Sequence, residues 1–179
     1  MWKKLSSKII LNHPRLTVVE DRVELPNGIV TDYLRYKNTG DAITVICIRP
    51  DGKILVQKDY SYPPDRFLLQ FPGGSIIKNE SPKVAARREL REESGWLVNK
   101  LTFIGSYLIN NRKSDQKMHV FVAEEISFYK TAHEAEEGAA SHSWKSESEI
   151  DRLLSRNRVQ NVHFLASWTL FKSNRSDNG

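Results

Sequence analysis

Cysteine is almost missing from this chain: Cys47 is the only one in 179 residues, and it sits inside the apolar run Ala42–Ile48. One cysteine excludes an intrachain disulfide frame and a thiolate metal cage, so an ordinary hydrophobic core must hold the fold together. Long apolar runs are missing as well. Nothing approaches the roughly 20 residues of a membrane-spanning helix, and the opening MWKKLSSKIILNHP lacks the continuous apolar segment of a signal peptide. The expected location is the cytoplasm. Basic residues outnumber acidic ones, for a net charge of +5, but they are scattered (Lys3-Lys4, Arg87-Arg88, Arg112-Lys113) and form no stripe interleaved with aromatics. A dedicated nucleic-acid surface is therefore not expected, while a mildly basic surface suits a phosphorylated small molecule. No internal repeat is visible. The length and a 39% hydrophobic fraction allow one domain with a small appendage.

What is present is concentrated in Gly73–Trp96, GGSIIKNESPKVAARRELREESGW. Ser81 is a helix N-cap, Pro82 suits the first turn because its missing N–H is not needed there, and Gly95 provides a left-handed stop. These signals predict a helix over 82–94. At about 100° per residue, Glu89 and Glu93 lie about 40° apart and Glu92 about 60° to the other side of Glu89, so three carboxylates share a face. Glu92 and Glu93 fall in the last turn, where the helix dipole favours cations. Mutual repulsion and the dipole both oppose this arrangement unless something positive sits there. Arg88 reaches Glu92 at i+4. A cluster of hard oxygens also suits a divalent ion that keeps part of its water, Mg²⁺ or Mn²⁺. The alternative is a solvated acidic helix.

Residues 1–40 show strand patterns at Leu16–Val19, Arg22–Leu25 and Ile29–Tyr36, with Pro26-Asn27-Gly28 as a hairpin turn. Asn38-Thr39-Gly40-Asp41 breaks the chain, and a core domain is expected to begin near Asp41. Ala42–Ile48 reads as a buried strand, with a hairpin at Asp51-Gly52 returning through Ile54–Gln57. Lys58–Asp65 reads as a loop, and Phe67–Phe71 as a short strand into the Gly-Gly loop. Leu101–Ile109 and Met118–Glu124 read as strands, followed by a polar stretch Lys130–Glu137 and a short strand at Ala140–Trp144. Ser146 with Glu149 is a capping box for a helix to about Arg156. Asn161 caps a last helix through Phe171, with Phe164, Leu165, Trp168 and Phe171 on its core face, and 173–179 reads as a flexible tail.

The spacing Gly74, Glu80, Arg88-Glu89-Leu90, Glu92-Glu93, Gly95-Trp96 resembles the signature of the Nudix hydrolases. The Leu25-Pro26-x-Gly28 turn, the Phe71-Pro72-Gly73-Gly74 entry, the His119–Ala123 strand and the closing helices are similar to the ADP-ribose pyrophosphatase group. This likeness implies an α/β fold with a mixed sheet between helices and residues 41–172 as the catalytic domain. It also implies a β-rich segment, 1–40, for dimerisation and substrate covering. The implied reaction is metal-dependent hydrolysis of a pyrophosphate in a nucleoside diphosphate linked to another group, ADP-ribose or a nucleotide sugar. The implied metal ligands are Glu89, Glu93, Glu92 and the carbonyl of Gly73. Arg88 would orient the carboxylates, Glu80 would support loop and helix, and Glu137, with Glu136 beside it, would supply the remaining acid or base.

Three positions depart from that group. Ser61 stands where an arginine is frequent, Gln70 where a glutamate is, and Asn111-Arg112 where a Pro-Gly is. Arg66 or Arg112 could replace the phosphate clamp, and Tyr60, Tyr62 and Tyr33 are candidates for stacking on a base. A triphosphate pyrophosphohydrolase is the alternative. A silent nucleotide sensor would be expected to lose a signature carboxylate, and none is lost. An isoprenoid diphosphate isomerase would need a catalytic cysteine, and Cys47 has no such context.

Overall fold

In a computed structural model the described residues are 1–129 and 141–176. They form two units, one of residues 1–40 with 108–117, the other of residues 41–107 with the described residues from 118 onward.

The first unit is a three-stranded antiparallel sheet in the order β1 (Lys3–His13), β2 (Leu16–Glu24), β3 (Val30–Tyr36). The β2–β3 hairpin closes where Gly28, at φ 83°, donates its N–H to the Leu25 carbonyl over 2.9 Å. The left-handed conformation there costs glycine nothing. Alternate residues of β2, Thr17, Val19, Asp21 and Val23, are buried. Asp21 belongs on that face because Arg35 Nε donates to it over 2.6 Å and Ser7 supplies a hydroxyl. Loop 108–117 is tied to β3 through Tyr36 N–H to the Lys113 carbonyl, 2.7 Å, and Tyr33 Oη to the Arg112 carbonyl.

β1 is an addition to the sequence reading, and its irregularity explains why the pattern did not show it. Register shifts between Lys4 and Ser6 and between Ile9 and Leu11 break the alternation.

In the second unit, β4 (Ala42–Cys47) is buried throughout and pairs in parallel with β9 (Lys117–Phe128) and antiparallel with β7 (Gly73–Ser75). β8 (Trp96–Leu108) completes the order β7-β4-β9-β8. A second sheet runs β10 (Ser141–Lys145), β5 (Ile54–Ser61), β6 (Arg66–Gln70). The Asp51-Gly52 turn therefore joins two sheets: a single bridge, Ile48 to Ile54, forms before β4 and β5 part.

α1 (Pro82–Ser94) covers one face of β4, and Ala85, Ala86 and Leu90 pack with Ile43, Val45 and Cys47. On the opposite face Ile46, Val120 and Val122 meet Ile150 of α2 (Glu147–Ser155) and Phe164, Trp168 and Phe171 of α3 (Val162–Ser176). The result is a mixed sheet between helices. Burial pushes the Cys47 thiol up to about 12, which removes it as a nucleophile at neutral pH.

Two expectations for α3 are corrected. Leu165 is 40% exposed, because one residue past Phe164 it is turned by about 100° from the core stripe. The helix also continues through Ser176 rather than fraying at 173, and the Asn174 amide caps the Ile104 and Leu170 carbonyls. The strands β5, β8 and β9 likewise run further than the apolar pattern suggests.

Candidate active site

The site begins with the way α1 is started and stopped. Ser81 accepts from the Val84 N–H, Pro82 opens the first turn, and Gly95 at φ 73° closes the helix on the Arg91 carbonyl. These fix which turn carries Glu89, Glu92 and Glu93. The loop before the helix is fixed against β4, where the Val45 N–H donates to the Pro72 carbonyl over 2.8 Å.

Both signature glycines answer to close packing. A Cβ on Gly73 would lie 2.3 Å from the Ile43 carbonyl oxygen, and a Cβ on Gly74 would lie 2.4 Å from Glu89 Oε1. The Glu89 carboxylate thus occupies the space that any larger residue at 74 would fill.

Arg88 uses every donor of its guanidinium. Nε and Nη2 grip both oxygens of Glu80 at 2.9 Å, Nη1 reaches Glu89 at 2.8 Å and Glu92 at 3.2 Å, and Nη2 also donates to the Ser75 carbonyl at 3.1 Å. The Glu80 side chain is only 6% exposed, and the guanidinium beside it holds its carboxyl below the usual range. With no donor left over, Arg88 orders carboxylates and loop together.

Glu93 is held differently. Its Oε2 accepts the Gly73 N–H at 3.0 Å and the Gln57 side-chain amide at 3.3 Å. Burial first, then the nearby charges of Glu89 and Asp59, raises its carboxyl to about 7 against these two stabilising bonds. Asp59 stands two residues beyond Gln57 on β5 and accepts from Gln70 at 3.2 Å. Gln57 meets His142 across the β5–β10 ladder, Nε2 to Nε2 at 3.0 Å.

Gln57, Asp59 and His142 were missed by sequence reading, since only strand register brings them near Glu93; Gln70 stood out only as a departure from a family pattern. Among the described residues no three acids converge as a closed metal cluster, because Arg88 holds Glu89 and Glu92 while Gly73 and Gln57 hold Glu93. The donor set nevertheless fits a hard divalent cation. All the groups are oxygens, the half-buried Glu93 carboxylate lies near those of Glu89 and Asp59, and glycine at 74 keeps room for the Glu89 carboxylate.

The other candidates are dispersed. Tyr60 donates to Asp65 over 2.6 Å and meets Phe67 edge-on. Tyr62 is exposed, and exposed Arg66 sits at the start of β6, directly opposite Ser61. Arg112 lies in the first unit, as does Tyr33, which packs edge-on against Trp2. Glu136 and Glu137 lie outside the described residues.

Comparison with known proteins agrees with this arrangement. The NUDIX domain family matches residues 38–169, and the family described as nucleoside diphosphate sugar hydrolase N-terminal domain matches residues 2–33. An ADP-ribose pyrophosphatase of Bacillus subtilis is 38% identical over 119 residues, 66% of this chain and 63% of that protein. The chain thus spans less than two thirds of that relative. The ADP compounds hydrolase NudE of Escherichia coli is 33% identical over 133 residues, 70% of this chain and 71% of that protein. A crystal structure of an ADP compounds hydrolase superposes with a TM-score of 0.89 at 22% identity, covering 99% of this chain and 96% of the other. Nudix hydrolases generally need a divalent metal, which suits the carboxylate set on α1. Since the matched span takes in the Gly-Gly loop, the helix it clamps and the sheet beneath both, this chain belongs to the NUDIX domain family.

Proposed function

We propose that this chain is a cytoplasmic, homodimeric Nudix hydrolase that cleaves the pyrophosphate bond of a nucleoside diphosphate carrying a second group, ADP-ribose or a nucleotide sugar, with Mg²⁺ or Mn²⁺. The observation that carries the reading is the carboxylate face of α1, with Glu93 clamped to Gly73 and Glu89 seated over Gly74. Glu89, Glu92, Glu93 and the Gly73 carbonyl would hold the cation. When bound, a divalent cation acidifies water and neutralises charge on the phosphates. Arg88 keeps Glu89 and Glu92 in place, its own charge spent on Glu80.

On the substrate side, Arg66 lies across the β5–β6 ladder from Ser61, close enough for a cross-strand pair, so it can offer the positive charge that Ser61 lacks. Tyr60 and Arg112 complete the substrate assignments, and Glu137, or Glu136, the remaining acid. The matching N-terminal family and the names of two relatives support a nucleoside diphosphate compound over a triphosphate. Residues 41–172 are the proposed catalytic domain and 1–40 the dimerisation segment. The test is kcat/KM for ADP-ribose, several nucleotide sugars and the common triphosphates with Mg²⁺, a ratio that reports differential transition-state stabilisation. The diphosphate compounds should win by more than tenfold; a triphosphate preferred by a hundredfold overturns the substrate class.

A further inference from the structure

Gln57 is out of keeping with its strand. It follows Ile54, Leu55 and Val56, is itself only 2% exposed, and an apolar side chain there would avoid the cost of burying an amide. Its two N–H groups explain its presence. Nε2 lies 3.3 Å from Glu93 Oε2 and 3.0 Å from His142 Nε2. An amide nitrogen only donates, so both neighbours must accept, which puts the imidazole in the neutral form with its proton on Nδ1. The opposite amide orientation would turn the carbonyl oxygen toward the Glu93 carboxylate. The Glu93 carboxylate, an acceptor when ionised, therefore selects the orientation in which Gln57 donates to it, and His142, fixed opposite Gln57 by strand register, takes the second N–H and holds the amide there.

Oε2 of Glu93 also takes the Gly73 N–H. Two donors on one oxygen pin the carboxylate, while Oε1 takes no donor from the described residues. We infer that Gln57 and His142 are positioning residues that aim Glu93 at the divalent cation, a pair built into the β5–β10 ladder rather than into the signature helix. The inference rests on the reading of Glu93 as a cation ligand. Partners of this kind around a metal ligand are worth about 10- to 100-fold in metal affinity.

The experiment measures Mn²⁺ binding to the purified full-length protein by the electron paramagnetic resonance of free Mn²⁺, without substrate, at a pH above 8. Glu93→Gln tests the underlying reading: if it binds Mn²⁺ like the parent, Glu93 is no ligand and the inference falls with that reading. With Glu93→Gln impaired, Gln57→Leu should weaken binding by about tenfold. His142→Leu should weaken it too, His142→Gln, which keeps an acceptor, should restore it, and the double variant Gln57→Leu/His142→Leu should be no weaker than Gln57→Leu alone. Parent-like binding by Gln57→Leu, or additive losses in the double variant, overturns the proposal. Should Gln57→Leu not fold, the comparison of His142→Leu with His142→Gln decides alone, and equal affinities overturn it.

Discussion

The amide N–H of Gly73 donates to Oε2 of Glu93 over 3.0 Å, tying the last turn of α1 to a loop 20 residues earlier. That bond, with the Gln57 amide, pulls Glu93 toward the charged form. Burial and the charges of Glu89 and Asp59 push it the other way and win, leaving the carboxyl at about 7. The metal-free protein thus carries a carboxylate that folding has made harder to ionise.

The sign of the consequence is fixed. A carboxyl raised from 4.5 to about 7 lets the folded state hold a proton that the unfolded state has released, so its contribution to stability is present below about pH 4.5 and lost as pH rises through about 7. In chelator, Glu93→Gln should match the parent in thermal melts at pH 5. At pH 8 it should be more stable, by on the order of 1–3 kcal/mol. Its activity with saturating Mg²⁺ should fall by more than about a hundredfold. An active variant, or one that gains nothing at pH 8, contradicts the assignment.

Gly74 and Gly73 separate function from folding. Gly74→Ala meets the Glu89 carboxylate at 2.4 Å, a side chain that can move, so kcat should drop by about tenfold or more while the melting temperature stays within a few degrees. Gly73→Ala meets the Ile43 backbone at 2.3 Å, which cannot yield cheaply, so soluble yield and melting temperature should both fall. Equal behaviour of the two would show that the loop tolerates more movement than its packing suggests.

How far these relationships were legible in the sequence depends on their range. α1 was readable because its signals are local: Ser81, Pro82 and Gly95 are cap chemistry, and the carboxylate face follows from helical geometry. The buried strand Ala42–Cys47 was readable as an apolar run interrupted only by Thr44. β1 was not, because its two bulges destroy the alternation that marks a strand. The Glu93–Gln57–His142 chain was not legible either, since the contacts span 36 and 85 residues and depend on register, which composition does not encode. Glu137 lies outside the described residues and stays an assignment by resemblance.

Arg88 and Glu80 form a two-bond pair with little exposure, so removing one partner should cost more than removing both. Arg88→Met leaves the Glu80 carboxylate buried without a counterion and should destabilise the fold by about 2–4 kcal/mol. Adding Glu80→Gln to it should recover part of that loss but little of the activity, because Glu89 and Glu92 have still lost their guide. Urea melts and kcat on the two single variants and the double variant measure the coupling. Additive stability losses would mean that the pair is not coupled.

The N-terminal sheet leads to a different kind of prediction. All 11 residues of β1, an edge strand, are exposed, and Leu5, Ile9, Ile10 and Leu11 are among them, with Val30, Leu34 and Tyr36 exposed on β3. Edge strands on monomers are normally shielded by charge, proline or bulges, and a concentration of apolar side chains of this kind marks an association surface. Lys3, Lys4 and Lys8 and the two register shifts shield part of the β1 edge, but the stretch Ile9-Ile10-Leu11 carries no charge and keeps its apolar side chains exposed. Light scattering at micromolar concentration should therefore give twice the chain mass of 20.6 kDa. The variant Ile9→Lys/Leu11→Lys should shift the species toward the single-chain mass while leaving helix content by circular dichroism unchanged, since no helix lies in this unit. A parent that scatters only as 20.6 kDa would remove the homodimer from the functional reading, whereas a dimer indifferent to both lysines would move the interface to another surface.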